Sequence, residues 1–259
     1  IKEVTKEITI KAGQKCTSVR RIIVPENLID EVQAAVSKRL ASTAIGDPAA
    51  EGVRMGALAT KTQVDRVKEN VALLQQSQEI VFGDVDNFEV IGADREKGAF
   101  ISPILFRNDD PFHKTAVHDI ECFGPVSTIM PYKNLDDAIE LARMGKGSLV
   151  SSIVTPCDKE ATDYVLGAAT MHGRILVLNE KSAKESTGHG SPMPLLTHGG
   201  PGRAGGGEEM GGKRGIMHYL HRTAIQGHPN TITAITQVYQ QGAEGRQIPV
   251  HPFKKHYEE

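Results

Sequence analysis

Disulfide staples, membrane spans and a strong charge of either sign are all missing from this chain. Its 259 residues include three cysteines, at positions 16, 122 and 157. They are too few and too scattered for a disulfide framework, which points to a reducing, cytoplasmic setting with free thiols. No apolar run approaches the roughly 18 residues that a bilayer-crossing helix needs, so no membrane partner is expected. Thirty basic against thirty-two acidic side chains leave a formal net charge of −2. That gives no long-range field to gather nucleic acid, and none is expected as a partner. The start, Ile1-Lys2-Glu3-Val4, is neither a signal peptide nor an initiating methionine, so the chain is expected to be part of a longer protein.

What is present is an ordinary globular composition, 39% hydrophobic and 24% charged, enough for one large or two modest domains. Ile1, Val4 and Ile8 fall at helical spacing before Gly13. Leu28, Ile29, Val32, Val36 and Leu40 mark one face of a second helix after Pro25, and Val64, Val67, Val71 and Leu74 one face of a third. Between helices come strand-like runs at 19–24, after Pro103, at 126–132, at 149–154 and at 174–178. Asn134 reads as the cap of a helix carrying Ile139 and Leu141, and Asp158 as the cap of another reaching about Thr170. This alternation predicts an α/β fold, a three-layer domain with a largely parallel sheet. A glycine-rich loop at 188–215 follows, then a short helix with Ile216, Tyr219 and Leu220, then a polar tail from 229.

Four residues carry candidate chemistry. Cys16 sits in Gly13-Gln14-Lys15-Cys16-Thr17, between a helix and a strand, where a thiol can be presented. A cysteine attacks as the thiolate, so its proton must be lost or taken by a base, and Lys15, Arg20 and Arg21 bring positive charge near it in sequence. Read alone, such a residue is more often a buried structural thiol. Glu121 and Phe123 lie in Glu121-Cys122-Phe123-Gly124-Pro125-Val126, whose Gly-Pro turn holds the carboxylate and the ring side by side. Asn179 ends the strand-like run Val177-Leu178-Asn179. Gly200-Pro201-Gly202-Arg203-Ala204-Gly205 satisfies G-x-G-x-x-G but follows no clear strand, so it is read as a chance match. His218 and His221, with His189, His198 and His228 nearby, lack cysteine or carboxylate partners at ligand spacing. No metal site is expected. Cys122 and Cys157 are read as packing thiols.

Taken together, the Cys16 and Glu121 segments resemble the aldehyde dehydrogenase superfamily, which pairs a G-Q-x-C nucleophile loop with an E-x-F-G-P-V cofactor segment. The likeness covers roughly residues 1 to 225. It is closest to the dehydrogenase half of the bifunctional phenylacetate ring-opening enzymes, carried by the stretch 11–25, by Arg203 to Gly212 and by His251-Pro252-Phe253-Lys254-Lys255. The resemblance implies a catalytic-domain fold over residues 1–195, an association and cofactor-domain return segment at 196–228, and a tail or linker at 229–259. It implies Cys16 as catalytic nucleophile, Glu121 and Phe123 as cofactor-binding, Asn179 as substrate-binding, and NADP or NAD as cofactor. The implied substrate is an aldehyde, with a CoA-linked semialdehyde suggested, and the implied assembly is a homodimer or higher homo-oligomer. In that family the general base, an oxyanion asparagine and the Rossmann half precede the nucleophile, so the fragment is expected to be inactive in oxidation by itself. A competing expectation is a folding and association module with an idle thiol.

Overall fold

The computed structural model describes residues 1–186, 188–189, 199–205 and 219–244. The predicted helix around Ile216 and the histidines at 198 and 218 lie outside them. The chain divides into two compact units, Ile1–Leu141 and Ala142–Glu259.

In the first unit, α1 (Lys2–Thr9), α2 (Ile29–Ala41) and α3 (Lys61–Gln75) accompany the strands β1 (Arg21–Pro25), β2 (Glu79–Phe82), β3 (Ile104–Arg107) and β4 (Val126–Tyr132). The strands form one sheet in the order β1-β4-β3-β2, parallel except for β2, which runs antiparallel to β3 through an irregular register. Alternation across β3 splits the core in two. Ile104 and Phe106 pack with Val67, Val71 and Leu74 of α3, while Leu105 packs with Ile8 of α1 and Val36 and Leu40 of α2. Because successive strand side chains point to opposite faces, the predicted three layers follow directly: helices, sheet, helix.

Local signals explain most boundaries. Thr60 caps α3, its hydroxyl accepting from the Gln63 N–H at 3.2 Å. Pro25 ends β1 rather than opening α2. A short 3-10 turn intervenes, so Leu28 is exposed and the buried stripe of α2 begins at Ile29. A four-residue helix, α4 (Ala116–Asp119), precedes the Glu121 segment. The helix α5 (Leu135–Arg143) starts at the predicted cap, with Asn134 Oδ1 accepting from the Asp137 N–H at 3.0 Å.

The second unit holds a parallel sheet of β5 (Ser148–Val154), β6 (His172–Leu178) and β7 (Ala224–Gln226), in that order. All seven residues of β6 are buried, as a central parallel strand requires. The helix α6 (Asp158–Ala168) takes Cys157 as its cap residue, and the Asp158 carboxylate instead accepts from the Thr231 hydroxyl at 3.1 Å. Where the sequence suggested a polar tail, Pro229–Thr236 forms a further helix, α7, packed on α6 with Thr231, Thr233 and Ile235 buried. The Gly200–Gly205 match is a 3-10 turn, not a strand-to-helix entry. Its neighbourhood is crowded by backbone: a methyl group on Gly147 would lie 2.0 Å from the Pro201 carbonyl oxygen.

Candidate active site

The Cys16 loop runs into β1 and the Glu121 segment runs into β4, and these strands are parallel neighbours with Arg21 opposite Thr128. Two motifs about a hundred residues apart therefore meet at the amino ends of adjacent strands. The Ser127 hydroxyl donates to the Val19 carbonyl at 2.6 Å, and the Thr128 N–H to that of Arg20 at 2.9 Å.

After α1 the backbone turns through three left-handed residues, Lys11, Ala12 and Gly13, at φ 53°, 51° and 70°. The first two are a conformation that L-residues adopt only under constraint. Gly13 is pressed on the other motif: a Cβ there would lie 2.2 Å from the Gly124 carbonyl oxygen. Gln14 Oε1 accepts from the Ala59 N–H at 2.7 Å. The Ser18 N–H then donates to the Lys15 carbonyl at 2.9 Å, which places Cys16 and Thr17 at the centre of a tight turn. Thr17 points inward, 3% exposed, and Cys16 is exposed. The Cys16 N–H has no hydrogen-bond partner among the described residues.

Across from this turn, Glu121 and Phe123 are exposed while Cys122 and Gly124 between and beside them are buried. Asn70 Nδ2 holds the Glu121 carbonyl at 3.1 Å. Phe123 has φ 52° and 41% of its surface exposed, a left-handed backbone at a bulky residue that needs an external reason. A shallow crevice is lined by Gly13, Lys15 and Ser18 on one side and Glu121, Phe123 and Gly124 on the other. Cys16 itself is not part of its wall.

The positive charges read from the sequence are engaged elsewhere. Lys15 Nζ pairs with Glu7 Oε2 at 2.5 Å, both side chains 7% exposed. Arg20 reaches the carbonyls of Ile120 and His118 at 3.4 and 3.5 Å. Arg21 Nη1 lies 2.9 Å from His118 Nδ1 and donates to the Leu141 carbonyl at 2.6 Å. His118 Nε2 is 2.8 Å from the Pro111 carbonyl oxygen. An arginine can only donate and a carbonyl only accept, so His118 is neutral with its proton on Nε2. Burial, reinforced by the two arginines, holds it down to about 4. Burial likewise pushes the Cys122 thiol up to about 12, against the weaker pull of Arg20. Cys122 is the packing thiol expected. Cys157 is not: it is exposed as the cap residue of α6.

Asn179 belongs to the second unit and its amide is committed there. Its Nδ2 donates to Thr231 Oγ1 at 3.0 Å, and its Oδ1 accepts from the N–H groups of Lys181 and Ser182, both at 3.1 Å. Among the described residues no three His, Cys, Asp or Glu side chains group to hold a metal. His221 Nε2 lies 2.6 Å from the Ala169 carbonyl oxygen, and His228 caps α7 by accepting from the Asn230 N–H. Sequence reasoning missed Glu7, whose signal was an acidic residue beside Ile8 on the buried side of an otherwise amphipathic helix.

An exposed cysteine on a tight turn, joined through Gly13 and Gly124 to the segment that bears the exposed Glu121 and Phe123 at the amino ends of parallel strands, defines a thiol-bearing α/β domain. The chain belongs to the aldehyde dehydrogenase family, whose model matches residues 1–225. It is 47% identical over 206 residues to Protein MaoC of Klebsiella aerogenes, covering 79% of this chain and 60% of that protein. It is 42% identical over 201 residues to a 3,4-dehydroadipyl-CoA semialdehyde dehydrogenase of Aromatoleum evansii, covering 78% and 39%. Its fold matches a betaine aldehyde dehydrogenase of Staphylococcus aureus in complex with NAD+, with TM-score 0.69, 20% identity and coverage of 84% of this chain and 40% of that one. It also matches a glyceraldehyde-3-phosphate dehydrogenase of Methanocaldococcus jannaschii complexed with NADP, with TM-score 0.64, 19% identity and coverage of 80% and 40%. The chain thus spans less than two thirds of the length of each of these relatives.

Proposed function

We propose that this chain carries the nucleophile of an NAD(P)-dependent aldehyde dehydrogenase, with Cys16 as the attacking residue. The observation that carries the reading is the presentation of Cys16 on a turn anchored on both sides, with its own N–H without a partner among the described residues. The Cys16 thiolate adds to the aldehyde carbon, forming a C–S bond while the carbonyl electron pair moves to oxygen. The free Cys16 N–H is placed to donate to that oxygen. A nicotinamide cofactor, when bound, supplies the two-electron acceptor that leaves a thioester on Cys16. Water then cleaves the C–S bond, releasing the acid and the thiol.

The exposed pair beside the crevice fits such a cofactor. Glu121 offers a carboxylate that can accept from ribose hydroxyls, and Phe123, with left-handed backbone and 41% of its surface exposed, offers an aromatic ring for a planar ring to pack on. Asn179, with its amide engaged, would serve the substrate mouth by shaping the 179–182 turn. Likeness to the Aromatoleum enzyme supports a CoA-linked semialdehyde of aromatic catabolism, such as phenylacetate degradation, as substrate. A cytoplasmic homo-oligomer is part of the same proposal, resting on the free thiols of the sequence and on the resemblance to the aldehyde dehydrogenase superfamily.

The thiol half of this chemistry needs no cofactor, which makes it testable on the chain alone. With a p-nitrophenyl ester, Cys16 should take the acyl group and release nitrophenolate in a burst of about one equivalent. Cys16→Ala should abolish the burst. A burst that persists in Cys16→Ala would contradict the assignment.

A further inference from the structure

Lys15 is the residue before the nucleophile, and its ammonium is committed to a carboxylate of α1. Its ammonium is paired with Glu7 at 2.5 Å, with both side chains 7% exposed. The same Glu7 accepts the Ser18 hydroxyl on its backbone carbonyl at 2.7 Å. One residue of α1 therefore holds both ends of the turn, Lys15 and Ser18, whose centre is Cys16 and Thr17. The chain enters that turn through the left-handed Lys11, Ala12 and Gly13, a path that surroundings must impose.

We propose that Glu7 and Lys15 are a positioning pair for Cys16, fixing the geometry of its turn, and that Lys15 contributes no activating charge to the thiol. The proposal deepens the reading of Cys16 as nucleophile and rests on it. Burying two charges is costly, and a well-packed apolar pair of similar volume is often as stable. Geometry, not stability, is then what the pair supplies. The placement of Lys15 supports this. A lysine acting by charge needs its ammonium facing the sulfur, whereas here it runs back to α1. Arg20 and Arg21, the other cations near Cys16 in sequence, are bound to the 118–120 segment and the Leu141 carbonyl.

The test compares the wild-type chain with a Glu7→Met/Lys15→Met double variant, which keeps the site filled without charge, and with a Glu7→Lys/Lys15→Glu swap. Removing one partner alone would strand a buried charge and is avoided. Three quantities are read: the rate of ester acylation at Cys16 across pH, the midpoint of that pH profile, and hydrogen exchange at the Ser18 amide. The proposal predicts that the double variant folds cooperatively, that its plateau rate falls about ten-fold as the turn loosens, that the midpoint stays in place, and that the Ser18 amide exchanges faster. The swap should restore rate and protection. A midpoint that rises in the double variant, and further in the swap, would show Lys15 acting by charge and overturn the proposal. So would wild-type rates and exchange in the double variant, or a swap that restores nothing. If the wild-type chain is not acylated at Cys16 at all, the nucleophile reading fails separately, and Ser18 exchange still decides whether the pair holds the turn.

Discussion

Gly13 and Gly124 touch backbone to backbone, so closely that a methyl group on Gly13 would sit 2.2 Å from the Gly124 carbonyl oxygen. This contact joins the Cys16 loop to the Glu121–Val126 segment and sets both at the amino ends of β1 and β4. Gly13→Ala should therefore cost at least about 2 kcal/mol, from its left-handed φ and from a neighbour that is backbone and cannot yield. Gly124→Ala should cost less, because its new methyl meets a side-chain atom, Val67 Cγ2, at 2.8 Å. Urea midpoints of the two variants test the order, and Cys16 acylation should fall further in Gly13→Ala.

His118 gives the fold an acid limit. Its ring is held neutral between Arg21 and the Pro111 carbonyl, faced by Arg20 and flanked by Asp119, with burial lowering it from 6.5 to about 4. Between those values the unfolded chain binds the proton and the folded one does not, so stability rises with pH across that window. This contribution is present above pH 6.5 and is lost as pH falls toward 4. His118→Gln, which can still face both partners, should flatten the slope of stability against pH in that range. An unchanged slope would contradict the assigned role.

Cys122 acts on the alkaline side. Its thiol is raised from 9.0 to about 12 by burial, so the folded state keeps a proton that the unfolded state loses. Its contribution is complete below pH 9 and declines as pH rises above it. Cys122→Ala should remove that decline at a cost of about 1–2 kcal/mol in lost packing, while leaving Cys16 acylation unchanged.

Asn179 ties β6 to α7 through Thr231, which in turn reaches Asp158 on α6. Asn179→Ala should cost about 1–3 kcal/mol, and a double-mutant cycle with Thr231→Val should show coupling of about 0.5 kcal/mol or more. Additive effects in that cycle would remove the linkage.

Much of the frame was legible because its signals are local. The stripe Val67, Val71 and Leu74 gave α3, the run 126–132 gave β4, and Asn134 gave the start of α5. Elements that depend on partners were not. β2 has four residues, none of them fully buried, and exists because β3 offers an edge. α7 reads as polar, Pro-Asn-Thr-Ile-Thr-Ala-Ile-Thr, yet Thr231 and Thr233 are buried, and the Thr231 hydroxyl is bonded to Asp158 of α6 and to Asn179. Its helix-start signal, a proline in the first turn, was present in the sequence. At the site, the residue types at 16, 121 and 123 could be read, but not what their neighbours do. That Arg21 answers to His118 is a matter of long-range packing that no spacing encodes, and that Lys15 answers to Glu7 depends on the left-handed turn at 11–13 that folds the chain back on α1.

The central claim, that the Cys16 site is built for acyl chemistry and is more than an accessible thiol, has a direct internal control in Cys157, which is also exposed. Iodoacetamide develops no oxyanion, whereas an aryl ester does. Both reagents should be applied to the same chain and the labels divided between Cys16 and Cys157 by peptide mass spectrometry. The account predicts a Cys16-to-Cys157 ratio at least about ten-fold higher for the ester than for iodoacetamide, since only the ester draws on the free Cys16 N–H. Equal ratios for the two reagents would mean that Cys16 is merely exposed, and would contradict it.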